Sequence, residues 1–392
     1  LTMEKRNVAV IFGLLLGSII IAGLMLNAIS YVKIWLMAVI SLLLSTAFYW
    51  VFVKKDAVLE RYEIGLIIVT LAISLAMIVL SKFPFSDFWW YHEKNWFILH
   101  YLLDLGKLTG WVPFWHFGNP LLQMYAPGSH VLVIFFTKIL SINQFYAEII
   151  VNILSYALLI LALNMFLTKH TDKKIAFLAS LFVAISPRLF NEVFIQGHYT
   201  NLLSLAFGLI GLSLLESKEK KDKILFTVFI FLSLITHFSF FTIILLSTAL
   251  ALTLLRRFKD YKLLGKFIIP IALAAFWLLP AIIESRYWQG TTEGPSPFVI
   301  YLLSFGPFLL LAFYGMYRMY KNKMNYVLAF CISFIIMSLL PVFLFPILPD
   351  GIRNILQKLF VDTFKSTVTS SIFLVVPIVV GIKEIIKHAK YR

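Results

Sequence analysis

Charged residues are scarce in this chain: they make up 14% of its 392 residues, whereas hydrophobic residues make up 61%. The mean hydropathy is +0.91. A water-soluble chain of this length needs far more polar surface to cover its core, so composition excludes an ordinary soluble domain. Many apolar residues occur in blocks of roughly 17–23, the length with which a helix spans a bilayer. They do not alternate with polar residues as in a membrane β-barrel. The sequence therefore predicts an all-α, polytopic transmembrane helical bundle.

Cysteine and acidic residues are also rare. Cys331 is the only cysteine, which excludes a disulfide framework and a thiolate metal site. There are 19 Asp and Glu residues against 34 Lys and Arg residues, which gives a net charge of +15. The basic residues do not form one face, as nucleic-acid binding would require. They form short clusters between apolar blocks, a pattern typical of cytoplasmic loops of membrane proteins.

The apolar blocks and basic clusters predict about twelve or thirteen membrane segments in a single transmembrane domain over residues 1–392. The N-terminus is expected in the cytoplasm of a multi-pass cell-membrane protein, and the long loop at residues 81–127 outside. His130–Leu140 is too short to span the bilayer unaided and is interpreted as a half-length or re-entrant element. The predicted blocks are Val8–Asn27, Val32–Val53, Ile64–Leu80, His130–Leu140, Ile149–Leu167, Ile175–Ile185, Leu202–Leu215, Ile224–Ile235, Phe238–Leu255, Phe267–Ile283, Phe298–Met316, Tyr326–Phe345 and Val368–Ile382.

The loop at residues 81–127 concentrates acidic and aromatic residues. Asp87 stands about where the preceding helix leaves the membrane. From Trp96 to Leu105, the apolar residues recur at a spacing that predicts an interfacial helix with one apolar face. The remainder of the loop is rich in Gly, Pro and Trp, which predicts tight turns near the membrane surface.

At these residues the chain resembles the GT-C superfamily of membrane glycosyltransferases, and most closely the membrane proteins described as 6-pyruvoyl-tetrahydropterin-synthase-related. The resemblance covers roughly residues 64–284, with residues 1–63 as two additional N-terminal helices and residues 285–392 as C-terminal helices. Ala126 departs from the pattern, which usually has Pro there, and no second acidic motif is evident. The matching loop residues are Asp87, Gly110, Trp111, Pro113, Trp115, Gly118, Pro120, Tyr125 and Pro127, with further likeness at Ser186-Pro187, Gly197-His198 and residues 275–281.

The resemblance implies a lipid-linked glycosyltransferase that uses a polyprenyl-phosphate sugar at the outer face of the membrane. Such a reaction needs a carboxylate to deprotonate or orient the acceptor hydroxyl and cationic or metal stabilisation of the leaving phosphate. Asp87 is the first candidate for the base or for a ligand of a divalent metal (Mg²⁺ or Mn²⁺), and His92 and Glu93 are the second choices. The candidates for substrate binding are Trp89, Trp90, Trp111, Trp115, His116, Arg188, His198, His237, Arg286 and Arg353.

Several of these residues have a structural alternative. The tryptophans are also typical of an interfacial aromatic belt, and the arginines of lipid-headgroup contacts. The histidines could be hydrogen-bonded bundle residues rather than ligands. The expected partners are the polyprenyl-phosphate-linked sugar, membrane lipids and an acceptor glycan, lipid or protein, with a membrane-protein partner left open. The competing functions are a non-catalytic scaffold or partner subunit and a lipid or glycolipid transporter.

Overall fold

The structure, a computed structural model, describes residues 61–80, 87–106, 110–112, 119–121, 126–139, 141–284, 308–344, 347–349 and 363–390. Within these ranges the chain is helical apart from one short two-stranded hairpin, which confirms the predicted helical class. The predicted blocks Val8–Asn27 and Val32–Val53 lie outside the described residues. Of the helix that begins at Asp87, side chains are described from Tyr91 onward.

The described part of the chain contains fourteen α-helices, together with π-helical, 3₁₀ and strand segments. In chain order, the α-helices are α1 (Arg61–Leu80), α2 (Asp87–Phe97), α3 (Gly128–Ile134), α4 (Gln144–Thr168), α5 (Lys173–Ala184), α6 (Pro187–Phe190), α7 (Tyr199–Leu214), α8 (Lys220–Thr236), α9 (Phe238–Leu254), α10 (Ile268–Leu273), α11 (Ala275–Glu284), α12 (Phe308–Lys321), α13 (Asn325–Leu344) and α14 (Thr363–Lys390). The π-helical segments are Ile98–Leu102, Phe135–Ile139 and Asn191–Gln196, and Phe258–Phe267 is 3₁₀-helical. The strands Gly110–Val112 (β1) and Asn119–Leu121 (β2) pair antiparallel.

Helices α4 and α7 form the centre of the bundle and pack against each other. Every residue of α7 is buried, and so is nearly every residue of α4. A helix that is apolar on all sides is stable only when neighbours or lipid cover it all round. Helices α1 and α5 cover α4, while α8 and α9 cover α7. A second group, α12, α13 and α14, joins this centre through α9 and α5.

Local signals in the sequence fix where two of these helices start. Asn143 accepts a hydrogen bond from the backbone N–H of Phe145 at 3.0 Å, at the start of α4. Asp172 accepts one from the backbone N–H of Ile175 at 2.9 Å, at the start of α5. Side-chain caps of this kind satisfy amide groups that the first turn of a helix leaves unpaired.

Within the described ranges, two helices are long and apolar enough to cross a membrane: residues Gln144–Thr168 and Val368–His388. Five further apolar helices in the same part of the chain are shorter, namely Tyr62–Ser74, Gly128–Lys138, Tyr199–Leu214, Phe238–Leu254 and Asn325–Leu340. The multi-pass arrangement stays a prediction. The short element predicted over His130–Leu140 is present as α3 and the π-helical turn that follows it.

The predicted interfacial helix over Trp96–Leu105 differs from the observed one. The helix begins at Asp87, nine residues earlier, and its last turn, Ile98–Leu102, is π-helical. A π-turn takes more residues per turn than an α-helix and so shifts the side chains around the axis. Trp96 and Leu105, both assigned to the apolar face, are 48% and 56% exposed, whereas Ile98, Leu99 and Leu102 are buried.

The segment Pro187–Tyr199, which lies between the predicted blocks Ile175–Ile185 and Leu202–Leu215, is mostly helical. It contains α6 and the π-helical segment Asn191–Gln196, and α7 begins at its end. The interior position of Val193 and Phe194, both fully buried, explains why the segment is ordered against α4.

The bundle has two chemically different ends. We call the upper end the one at which α4, α7 and α9 begin, and the lower end the one at which they finish. Ion pairs tie the lower end together: Lys383 to Asp172 at 2.7 Å, Arg318 to Glu384 at 2.5 Å and Arg257 to Glu216 at 2.6 Å. The histidines and carboxylates described below lie at the upper end.

Candidate functional site

A buried carboxylate lies at the centre of the upper end. Glu148, in the second turn of α4, is 0% exposed. It accepts hydrogen bonds from Nδ1 of His92 at 2.6 Å, Nδ2 of Asn95 at 2.8 Å and Nε2 of Gln144 at 2.9 Å. Burying a charge is costly unless it is paired and hydrogen-bonded, and these three donors provide that compensation. Glu148 is therefore held by two side chains of α2 and by one side chain of its own helix, α4.

Helix α2 presents His92 and Asn95 to Glu148 because these residues are three apart, on one face of the helix. Gln144, four residues before Glu148, also donates to the backbone oxygen of His92 at 2.8 Å. This contact holds the backbone of α2 against the start of α4. The imidazole of His92 is 24% exposed, so its ring reaches from the buried carboxylate toward the surface.

The pKa of His92 is raised above its ordinary value of 6.5. The largest cause is the hydrogen bond to Glu148, which favours the charged ring. Burial opposes this shift, and the charges of Glu148 and Glu93 add to it. The ring of His92 therefore keeps its proton to a higher pH than an ordinary histidine does, and histidine is the side chain that most often acts as a general base or acid.

Asn95 extends the network to α3 and α7. Its Nδ2 also lies 3.1 Å from the hydroxyl of Tyr199, and its Oδ1 lies 2.7 Å from Nδ1 of His130. Tyr91 packs among these groups, with its ring 5.0 Å from that of Tyr199. The cluster of His92, Asn95, His130, Glu148 and Tyr199, together with Gln144, is called the upper-end network below.

A second carboxylate–histidine pair lies beside it. Glu192, also fully buried, is 2.5 Å from Nδ1 of His198 and 2.9 Å from Nη2 of Arg188. The ring of Tyr91 meets that of His198 edge-on at 6.5 Å, which places the two pairs next to each other. Arg188, predicted to bind a phosphate, thus has a carboxylate four residues along its own chain segment as a neighbour.

A lysine is buried at the same end. Lys94 is only 2% exposed, and its ammonium group lies 5.9 Å from the ring centroid of Tyr91. A buried lysine is rare and needs compensating contacts. Its position on α2, between His92 and Asn95 in sequence, adds a cation to the upper end.

Four of the predicted site residues have buried or partly buried side chains at the upper end: His92, Arg188, His198 and His237. His237 stands at the junction of α8 and α9, and its backbone oxygen accepts a hydrogen bond from Oγ of Ser204 at 3.2 Å. Glu93 is on α2 but exposed.

The other predicted site residues are described only in part or not at all. Asp87, Trp89 and Trp90 form the first turn of α2, and Trp111 is on β1, but their side chains lie outside the described residues. Trp115, His116, Arg286 and Arg353 lie outside the described residues altogether. Their proposed roles stay predictions.

Sequence reasoning missed seven residues of the upper end: Lys94, Asn95, His130, Gln144, Glu148, Glu192 and Tyr199. The predicted membrane block began at Ile149, one residue after Glu148. Two signals were available, because Gln144 and Glu148, like Arg188 and Glu192, are four residues apart and so share a helix face. The partner of each carboxylate across the fold was not visible in the local pattern.

The described residues do not fit a divalent metal. Among them, no group of three or more His, Cys, Asp or Glu side chains is placed to hold an ion. The oxygens of Glu148 already accept three N–H groups, and those of Glu192 face His198 and Arg188. The predicted metal site at Asp87 concerns a side chain outside this part of the chain.

Comparisons with known proteins give no family. No protein-family model matches the chain, and no curated protein matches it.

Proposed function

We propose that the chain is a polytopic membrane glycosyltransferase of GT-C type that takes its sugar from a polyprenyl phosphate and reacts at the upper end of the bundle. The observation that carries this proposal is the His92–Glu148 pair, a base joined to a buried carboxylate beneath helix α2. The loop that carries α2 is also the loop in which the sequence resembles GT-C enzymes.

The surface of the bundle supports a membrane setting. Large apolar side chains are exposed on its outside, including Leu310 at 74%, Phe276 at 68% and Phe313 at 67%. A soluble protein rarely exposes an apolar surface of this extent without a partner, and lipid would cover it. In the proposed arrangement the N-terminus and the lower end face the cytoplasm of a cell-membrane protein, and the upper end faces outside. The ion pairs and basic clusters of the lower end fit that orientation.

The proposed chemistry is a single inverting displacement. The acceptor hydroxyl oxygen forms a bond to the anomeric carbon, and the bond from that carbon to the phosphate oxygen breaks. The phosphate keeps the electron pair and leaves as polyprenyl phosphate, while the hydroxyl proton moves to the ring of His92. Glu148 stabilises the imidazolium that results, as a carboxylate does for a histidine base. Asp87, at the start of the same helix, is the alternative base predicted from the sequence.

The upper end also offers positive charge for the leaving phosphate. Lys94 and Arg188 are both there, whereas Arg286 and Arg353 lie outside the described residues. Cationic donors stabilise a phosphate oxygen most strongly where water is excluded. Arg188 would have to share its guanidinium between Glu192 and the phosphate.

One observation favours the second candidate, a non-catalytic scaffold or partner subunit. The acceptors of Glu148 are occupied by side chains of the protein itself, and such a satisfied network also serves to lock helices together. In that case the histidines would be structural, and substitutions would change stability rather than turnover.

The test is sugar transfer by the purified protein in lipid vesicles from a radiolabelled polyprenyl-phosphate-sugar pool. Wild type is compared with Asp87→Ala and His92→Gln, and with Asp172→Asn at the lower end as the matched control. We expect product from wild type and the control, and at least about 100-fold less from His92→Gln. A loss in Asp87→Ala with full transfer by His92→Gln would instead assign the base to Asp87. Absence of both transfer and polyprenyl-phosphate binding in folded wild type would favour the scaffold.

A further inference from the structure

We infer that Glu148 is a positioning residue for two histidines: it fixes the tautomer of His92 directly and that of His130 through Asn95, so that Nε2 is the basic nitrogen of both rings. The catalytic meaning of this inference rests on the proposed function, but the tautomers themselves are a property of the fold. They can be measured without any substrate.

The first step concerns His92. A carboxylate oxygen accepts hydrogen bonds and cannot donate one. Because Oε2 of Glu148 lies 2.6 Å from Nδ1 of His92, the hydrogen of the neutral ring must be on Nδ1. In a neutral imidazole the other nitrogen is then the acceptor. Nε2 is thus the atom of His92 that can take a proton.

The second step concerns the side-chain amide of Asn95. Its two ends cannot be exchanged, because the end that faces Oε1 of Glu148, at 2.8 Å, has to donate. The same nitrogen lies 3.1 Å from the hydroxyl of Tyr199. The amide oxygen is therefore the atom that faces His130.

The third step carries the constraint to His130. Its Nδ1 lies 2.7 Å from Oδ1 of Asn95, an acceptor, so Nδ1 of His130 must donate. Both Asn95 and His130 are 0% exposed, so water cannot replace the hydrogen-bond partner of either side chain. The direction of the hydrogen bonds that connect Glu148, Asn95 and His130 follows from the carboxylate at the start of the series. Without an acceptor oxygen at residue 148, the donor end of Asn95 would no longer be fixed.

The geometry thus gives one carboxylate control over two bases on different helices, α2 and α3. Loss of the orienting carboxylate from a catalytic histidine, which leaves the ring in the wrong tautomer, lowers turnover by about 10⁴-fold in serine proteases. We expect a decrease of at least about 100-fold in kcat for Glu148→Gln, with little change in KM, because the substitution keeps shape and changes only which atoms donate.

The chain provides its own matched control. Glu192 and His198 form a second buried carboxylate–histidine pair at the same end, with the same Nδ1 contact at 2.5 Å. Glu192→Gln removes an equivalent charge from the same part of the fold. It should alter the tautomer of His198 and leave those of His92 and His130 unchanged.

The experiment is ¹⁵N magnetic resonance of the full chain, labelled at histidine and reconstituted in lipid at a pH where the rings are neutral. His92→Gln and His130→Gln identify the two signals. We expect Nδ1–H for both rings in wild type and conversion of His92 to Nε2–H in Glu148→Gln. In Asn95→Leu, His130 should become a mixture while His92 keeps Nδ1–H.

The wild-type spectrum alone decides the inference if a variant fails to fold. Nε2–H on either ring of folded wild type would overturn it, and so would an unchanged His92 in folded Glu148→Gln. Correct tautomers together with no sugar transfer by wild type would instead contradict the proposed function and leave the positioning intact. If wild type transfers sugar and the kcat of Glu148→Gln is undiminished, the claim that Glu148 positions a catalytic histidine is overturned.

Discussion

The crossing of α12 and α14 gives the sharpest prediction about stability. Gly315 of α12 lies so close to α14 that a Cβ placed there would be 1.8 Å from the backbone oxygen of Pro377 and 3.1 Å from the backbone nitrogen of Gly381. The crossing is reciprocal, since a Cβ on Gly381 would be 2.7 Å from the backbone oxygen of Leu311. Backbone atoms cannot turn aside as a side chain can, so Gly315→Ala has to push the two helices apart.

The size of the effect follows from that distance. An ordinary contact of a Cβ begins near 3.4 Å, so the helices must separate by about 1.6 Å at the crossing. Ala312, Leu374 and Ile378 form the buried apolar cluster between them. A gap of about 0.5–1 Å already removes a quarter to a half of the dispersion energy across an interface. We expect Gly315→Ala to lower the free energy of unfolding by about 2–4 kcal/mol, near the upper end of the usual range for overpacking.

Cys331 provides the assay. It is the only cysteine and is 0% exposed, so a fluorogenic thiol reagent reacts with it only when the bundle opens. We expect Gly315→Ala to lower the temperature of labelling in detergent by about 5 °C or more. Gly265→Ala is the control, because no atom lies within 4 Å of the added methyl group, and its labelling temperature should equal that of wild type. An unchanged labelling temperature for Gly315→Ala would refute the close crossing.

Three further predictions concern single contacts. With His92 as the base, the turnover rate should rise as the pH passes through its raised pKa, above 6.5, and Glu148→Gln should move that midpoint to lower pH, as a pH–rate profile would show. The same raised pKa stabilises the fold fully below the unfolded pKa of about 6.5, and this contribution is lost as the pH rises through the folded pKa. Tyr156→Phe removes a buried hydrogen bond of 2.8 Å to the backbone oxygen of Ala184 and should lower the free energy of unfolding by about 1–2 kcal/mol, as followed by Cys331 labelling. Lys383→Ala should lower the free energy of unfolding by less than about 0.5 kcal/mol in that assay, because both side chains of its ion pair with Asp172 are nearly half exposed.

Helix positions were the part of the fold that the sequence predicted best. Phe238–Leu255 was predicted and Phe238–Leu254 is observed, and Tyr326–Phe345 corresponds to Asn325–Leu344. Long apolar runs specify a helix in a local way, since each backbone group bonds within the run itself. The described residues therefore agree with the sequence where apolar length decides the structure.

The site could be predicted only in part because its contacts are distant in sequence. His92 was selected from its loop, but its partner Glu148 is 56 residues away and at the edge of an apolar run. Asn95 was not selected, because an asparagine in a helix has no local signature of a buried hydrogen-bond hub. The π-turn at Ile98–Leu102 was also not predicted by the spacing of the apolar residues.

A charged residue at the start of α4 is the feature on which the account depends. A glutamate that only anchored helices could be replaced by a neutral residue of the same shape, since apolar or neutral substitutes for buried ion pairs are often tolerated. A glutamate that orients a base could not, because its charge selects the tautomer of His92.

The most direct measurement is therefore the rate at which vesicle-reconstituted wild type and His92→Gln release polyprenyl phosphate from a polyprenyl-phosphate sugar in the presence of acceptor. The account predicts release by wild type and a rate at least about 100-fold lower for a His92→Gln protein with the wild-type labelling temperature at Cys331. Equal rates for the two proteins would contradict the assignment of chemistry to the His92–Glu148 pair.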